Sequence, residues 1–534
     1  MGVLLAGVLV SGVLQATPAQ AAPSDTSLPS SPVERVSDDP VPVPSGPVPD
    51  TTPSTDPVIP SDVEVTRTPE QQQAFDDYRA KSAALDEAEE TGKAVEITAS
   101  TTETSISHAQ PDGTVTVETS AGPVRTEVDG DWVPVDTTLE FTADGVQPKA
   151  ITGDITFSDG DAGAPMAALG DGEEISVQLG WDGDLPRPVL EEDTATYRNV
   201  LPAVDLVLTA TRQGFTQHLV VNQLPDAATL AALSTLEFPL SSDGATVSEA
   251  PGGHLEVREG TDVVGTANAP LMWDARTDPH TGDPAVTAPV GLDLAPPTAA
   301  DTEATVVLTP PQAFLTDPAT VYPVTIDPTQ TLGLLGDTFV QNNIANTPQG
   351  GSTELRVGSP NGGGQVDRSL LLFDVAPAMN KFVQSAQLSL FENYSYSCTA
   401  RWVDIRDADW FDPNTVTWNN QPGIGGIVAN ANVALGYSAG CPANWVNFNM
   451  TNWLGQYADE RTAYYGPQMS LAVMAGSETD SLAWKKFNSG NAGGNVPTLT
   501  FSYDGNCDQW NGLAVCGDIR AKYCPAPGSV EARN

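Results

Sequence analysis

Gln384-Ser-Ala-Gln-Leu-Ser-Leu-Phe391 alternates strictly: Ala386, Leu388 and Leu390 fall on one face, Gln387 and Ser389 on the other. A period of two is the mark of a β-strand with one buried face. The same alternation recurs at Val403 and Ile405, at Val446, Phe448 and Met450, at Met469, Leu471 and Val473, and at Leu499, Phe501 and Tyr503. Strands of this kind, spread over residues 333–503, are enough for a two-sheet jelly roll.

Upstream, residues 93–330 are also β-rich. Short alternating segments (Val115-Thr-Val117, Ile175-Ser-Val-Gln-Leu179, Leu206-Val-Leu-Thr-Ala210) are separated by Pro111-Asp-Gly113, Asp129-Gly130, Asp144-Gly145, Asp182-Gly183, Ser242-Asp-Gly244 and Gly252-Gly253. These are hairpin signals, and their spacing favours antiparallel layers over βαβ units. One large scaffold or two subdomains fit equally well. Within this region, only Ala227 to Leu236 looks helical. A separate helix is expected at 67–92: Thr68 caps it, Pro69 suits its first turn, Gln71 completes a capping box and Gly92 stops it.

Residues 22–66 are Pro, Ser, Asp, Thr and Val without an aromatic, a composition that reads as a disordered spacer. Residues 1–21 carry a short apolar run ending in Ala19-Gln20-Ala21, the pattern of a secretory signal peptide. No basic residue precedes that run, which fits an upstream start or a misassigned Met1. No later stretch reaches the ~20 apolar residues of a membrane span. The expected location is therefore outside the cell, in solution or at the cell surface, with no membrane insertion after cleavage.

Twenty-three basic against 69 acidic side chains give a formal charge of −46. Such a chain repels nucleic acid, so no nucleic-acid partner is expected. All five cysteines lie late, and export favours their oxidation. The candidate pairs are Cys398 with Cys441 and Cys507 with Cys516, leaving Cys524 odd; spacing alone settles neither.

Several strings carry family resemblances. Asp337-Thr-Phe-Val340, Leu355-Arg-Val-Gly358, Arg368-Ser-Leu-Leu-Leu-Phe-Asp374, Ser385-Ala-Gln-Leu-Ser-Leu390, Thr417-Trp-Asn-Asn-Gln-Pro422 and Trp484-Lys-Lys-Phe487 resemble the DNRLRE domain, a β-sandwich grouped with a carbohydrate-binding module family. The string that names that family is absent; the order and spacing of the elements carry the likeness. Val200-Leu-Pro-Ala-Val-Asp-Leu206, Thr211-Arg-Gln-Gly-Phe215, Pro270-Leu-Met-Trp-Asp274 and Tyr322-Pro-Val-Thr-Ile-Asp327 resemble the N-terminal region of large secreted actinobacterial proteins that continue into YD (RHS-type) repeats. Residues 504–534 resemble the opening of an LGFP repeat, broken at Cys524, as in the front of a longer protein.

Residues 337–503 contain no histidine, which removes the commonest general base and zinc ligand from the sandwich. His108, His218, His254 and His280 are scattered upstream without ligand spacing. Gly436-Tyr-Ser-Ala-Gly440 matches a nucleophile elbow, but no histidine follows Ser438 and no helix is evident. No enzymatic activity is expected. The candidate carbohydrate site is an aromatic platform of Tyr394, Tyr396, Trp402 and Trp410 with Arg401 and Arg406 beside it. Its rival reading is ordinary packing. Trp418 reads first as a core residue beneath a turn. Asp404, Asp407, Asp409 and Asp412 offer hard oxygen ligands for a structural calcium; the rival reading is a solvated acidic loop. No other cofactor is implied.

The sequence thus predicts a mainly β protein: a Pro-rich disordered leader, one short helix, a β-rich scaffold, and a jelly-roll sandwich that binds polysaccharide or cell-wall glycan. The alternatives are a spacer in a larger cell-surface or toxin-delivery protein, and an unrecognised polysaccharide-active enzyme.

Overall fold

Strand Lys381–Ser395 buries Ala386, Leu388 and Leu390 and turns Gln387 and Ser389 outward, as its alternation dictates. It is an interior strand of its sheet, paired on both sides. The computed structural model of the chain describes residues 68–161, 163–170, 174–297, 304–327, 330–332, 336–459, 466–510 and 513–516. The signal peptide, the spacer and Cys524 fall outside these residues.

The C-terminal sandwich packs two antiparallel sheets around one core. One sheet runs Asp337–Gln341, Asp367–Asp374, Gln468–Ala475, Arg401–Ala408 and Ile424–Val433 in that spatial order. The other is built on Lys381–Ser395, flanked by Asn444–Asn449, Lys485–Asn488 and Thr498–Trp510. Val403, Ile405, Val446, Phe448, Leu471, Val473, Leu499 and Phe501 meet Leu388 and Leu390 between the sheets. Burying each such side chain contributes roughly 1.5–3 kcal/mol.

The second sheet reaches further back in the chain than the expected domain limits. Strand Thr114–Ser120 pairs with Thr498–Trp510, setting Val115 against Tyr503 and Val117 against Phe501. Strands Ser105–Ala109 and Val95–Glu96 extend the sheet from there. Periodicity tells which residues of a strand point inward but not which sheet the strand joins. Helix Pro69–Thr91 lies on the same core through Ala84 and Ala88, one turn apart. Gly92 ends it at φ +64, donating to the Ala88 carbonyl, as the stop signal predicts.

Between these two contributions to the sandwich lies the scaffold. An eight-stranded sheet from Asp136–Phe141 to Gly291–Ala295 and an eleven-stranded sheet containing Val204–Ala210 and Gly214–Val221 share one continuous core, which includes Phe157, Tyr197, Leu206, Phe215, Phe238 and Ile326. Residues of both sheets thus pack into the same core. The predicted Asp129-Gly130 turn joins Arg125–Val128 to Asp131–Pro134 with both residues at positive φ. The predicted helix at 227 runs Ala227–Ala232, capped by Asp226; Leu236 already starts a strand. Among the described residues no helix is long and apolar enough to cross a membrane.

The Trp484-Lys-Lys-Phe487 string is structural. Trp484 donates its indole N–H to Asp367 at 2.8 Å, Phe487 enters the core, and Lys485 meets Glu392 at 2.8 Å with both side chains fully buried. Burial pushes the Glu392 carboxyl up and pulls the Lys485 ammonium down, and their mutual attraction opposes both shifts. Lys485→Met strands the Glu392 charge and should cost about 3–5 kcal/mol in urea unfolding. Lys485→Met with Glu392→Leu should recover most of that loss. Equal losses in the single and double variants would contradict the pairing.

Asp337, wholly buried, accepts the Gly490 N–H at 2.7 Å; burial pushes its carboxyl up to about 8. The folded protein therefore holds this proton more tightly than the unfolded chain, whose aspartates titrate near about 3.9. The associated stability is complete below about pH 4 and is lost as the pH rises to about 8. Asp337→Asn keeps an acceptor but cannot ionise. Its stability relative to wild type should rise steadily from about pH 4 to about pH 8 in denaturant titrations; a constant difference would refute this.

Candidate functional site

Alternation along Arg401–Ala408 sends Val403 and Ile405 into the core and leaves Trp402, Asp404 and Arg406 on the outer face of the five-stranded sheet. Across the strand pairs, Trp402 stands beside Asn432, and Asp404 stands between Asn430 and Met474. Part of this face is closed. Phe411 and Val416 fold over Leu370 and Ala472 as a small second core, with Trp418 packed against it.

Trp418 follows the packing reading. The Arg368 guanidinium lies 4.6 Å from its ring centre and is fixed by Glu478 at 2.7 and 3.0 Å and by Gln421 at 2.9 Å. Asn420 accepts from the Thr417 N–H and hydroxyl, and Gln421 donates to the Trp418 carbonyl. The amides of this string hold its turn.

The open part of the face carries Trp402, 52% exposed. Gly476 pairs with it, and a Cβ there would stand 2.7 Å from the Trp402 Cβ, so the glycine makes room for the indole. Each cation nearby has its own carboxylate. Arg401 donates to Asp480 at 2.6 Å, and this bond is the main reason the Asp480 carboxyl is held below its usual range. Arg406 donates to the buried Asp404 at 3.3 Å and to the Gly425 carbonyl at 3.4 Å.

The six predicted binding residues do not form one platform. Tyr394 and Tyr396 share a face, as their spacing requires, but that face meets the scaffold. The Tyr394 hydroxyl donates to the His280 carbonyl at 2.6 Å, and Tyr396 stacks on the His280 ring at 5.1 Å and 9°. Beside them Asp283 accepts from Arg356 at 3.1 and 3.2 Å and from Lys486 at 2.6 Å. Arg212, from the Thr211-Arg-Gln-Gly-Phe215 string, completes the docking by donating to the Ala492 and Pro123 carbonyls at 2.8 Å each. Trp410 lies past the other end of the Trp402 strand. It is 63% exposed, with its indole N–H on Gln468 at 3.1 Å. Nothing local in the sequence reveals this division, because it depends on which sheet and which lobe each ring faces.

The four aspartates are not assembled as a calcium site. Asp404 is taken by Arg406, and Asp412 accepts from the Asn414 N–H and the Thr415 hydroxyl. Asp407 has its carboxyl pushed up by burial and, further, by the nearby Asp409. Among the described residues no group of three His, Cys, Asp or Glu side chains is arranged to hold a metal ion. Ser438 sits in a tight turn bridged to Cys441, followed by strand Asn444–Asn449, not by the helix an elbow requires. Cys398 and Cys441 are bonded, with Cα atoms 5.7 Å apart. Cys507 and Cys516 stand opposite each other in the β-register; their side chains lie outside the description.

Residues 328–503 match the model of carbohydrate-binding module family 96. The sandwich is thus a carbohydrate-binding-type module, and the match leaves out the strands it recruits from residues 95–120. The chain is also similar to tRNA(Glu)-specific nuclease WapA of Bacillus subtilis subsp. natto and to tRNA nuclease WapA of Bacillus subtilis strain 168, each 24% identical over 328 residues, 59% of this chain and 13% of the relative. The tRNA3(Ser)-specific nuclease WapA of Bacillus spizizenii is 23% identical over the same length. The chain therefore spans about an eighth of these curated relatives, as the 13% coverage states. The N-terminal domain of the Streptococcus gordonii adhesin Sgo0707 overlaps 77% of this chain and 92% of its own at 7% identity, but a TM-score of 0.13 carries no argument.

The Cys398–Cys441 bond closes a loop across a 43-residue separation and anchors the segment leading into Trp402. Loop entropy gives it a value of about 4 kcal/mol. Replacing both cysteines by serine should lower the unfolding free energy by that order. An unchanged denaturation midpoint would rule this out.

Proposed function

We propose that this is an exported, non-catalytic glycan-binding protein whose sandwich takes polysaccharide or cell-wall glycan on the open part of its five-stranded sheet. The observation that carries the reading is Trp402, a half-exposed indole given room by Gly476, in a domain that matches a carbohydrate-binding family. The C–H face of a sugar ring packs on such a plane. Asn430 and Asn432, together with the guanidinium N–H groups that Asp404 and Asp480 leave over, supply hydrogen bonds to hydroxyls. Because each arginine here already faces a carboxylate, the face suits a neutral chain better than a polyanion. The signal-like leader, the disulfide and the charge of −46 support a location outside the cell and argue against a nucleic-acid partner.

The alignment with 13% of the length of tRNA nucleases favours a second reading. In it, scaffold and sandwich together form a spacer or shell segment of a larger cell-surface or toxin-delivery protein, without a ligand of their own.

Binding of the purified chain to peptidoglycan sacculi, a neutral β-glucan and polygalacturonate separates the two. The first reading expects retention on sacculi or β-glucan, weakened about tenfold by Trp402→Ala (about 1.4 kcal/mol) with an unchanged melting temperature. No retention of wild type on any of the three supports the spacer.

A further inference from the structure

The Trp402 face leaves Trp410 unexplained. Trp402 lies near the start of its strand and Trp410 two residues past its end at Ala408, so about 20 Å of strand backbone, at about 3.3 Å per residue, runs from Trp402 to that end. Trp410 lines a cleft of about 650 Å³ between scaffold and sandwich, within the size range of small-molecule sites. One wall is the scaffold turn joining His254–Glu259 to Asp262–Ala267; the other is the sandwich segment around 410–415. Asn414 bridges them, donating its amide to the Val263 carbonyl at 3.2 Å, which fixes the width there. Its Oδ1 is an acceptor without a partner in a side chain only 8% exposed. The bond from Trp410 to Gln468 holds the indole at the cleft, and Leu372 and Val264 supply apolar lining.

The charge of this cleft differs from that of the Trp402 face. Glu259, Asp262, Asp374 and Asp412 line it against one cation, Arg258. That guanidinium is already committed to Glu256 at 3.0 Å and to the Thr261 carbonyl at 2.9 Å. An excess of carboxylate around an exposed indole complements a ring with one apolar C–H face and a positive substituent: the plane attracts both the C–H face and the ammonium. A uronate would be repelled. We propose that this junction cleft is a second saccharide site, separate from the Trp402 face, and that it takes an amino-sugar oligosaccharide. The assignment stands on the cleft itself and survives if the Trp402 face proves to bind nothing.

Calorimetric titration of the full chain with the glucosamine hexamer, the N-acetylglucosamine hexamer and the galacturonate hexamer tests it. The glucosamine hexamer should bind most tightly. Trp410→Ala should weaken it at least tenfold, and Glu259→Gln with Asp262→Asn, both on an exposed turn, at least fivefold. Trp402→Ala should change it less than twofold, with the melting temperature unchanged in all variants. The proposal is overturned if wild type does not bind the glucosamine hexamer, if the acetylated or galacturonate hexamer binds as well, if Trp410→Ala has no effect, or if Trp402→Ala costs as much. Loss of sacculus binding in Trp402→Ala alone bears only on the other face.

Discussion

The hydrogen-bonded ladder between Thr114–Ser120 and Thr498–Trp510 is the constraint from which the rest of the architecture follows. It joins an early strand to a late one and so makes the scaffold an insertion between two parts of one sheet. An edge left open at Thr498–Trp510 would present unpaired N–H and C=O groups to other chains. The recruited strands cover it and bring Val115, Val117 and Ala109 into the common core. Gly122 and Gly490 meet where this ladder ends: a Cβ on Gly122 would come within 2.9 Å of the Gly490 carbonyl oxygen. The helix joins through Ala84 and Ala88, whose small side chains let its backbone come close.

The alternating strands were legible because the rule that governs them is local. Ala386, Leu388 and Leu390, and likewise Met469, Leu471 and Val473, point inward because side chains along any strand change sides at each residue. The helix at Pro69–Thr91 was legible because its signals are local to each end, a first-turn proline at the start and Gly92 at positive φ just past the end. The candidate site was only partly legible. Aromatic residues close in sequence went to three places: Tyr394 and Tyr396 against His280, Trp402 on an open sheet, Trp410 at a cleft. Each destination is set by a partner more than fifty residues away in the chain, such as His280 for Tyr394 or Gln468 for Trp410. The same holds for Lys485, whose fully buried charge makes sense only once Glu392 is beside it.

Charge is distributed with economy. Against 69 carboxylates the chain has only 23 cations, and several of them are committed to particular tasks. Arg212 docks the scaffold, Arg356 and Lys486 share Asp283 across the same junction, Arg368 covers Trp418, and Arg401 and Arg406 are matched beside Trp402. In so acidic a protein, the local balance of matched and excess carboxylate distinguishes one surface from another. That balance separates the Trp402 face from the junction cleft.

Thr114 lies opposite Asp504 and Ser120 opposite Thr498, so the polypeptide enters and leaves this strand pair at the same end. Traction on the segments either side therefore meets Val95–Glu96 and Ser105–Ala109, which lie outside this pair in the sheet, before it reaches the ladder itself. The scaffold, threaded between the far ends of the two strands, is off this load path. Under such a pull the outer strands would give way first, with the inserted lobe off the path of the force.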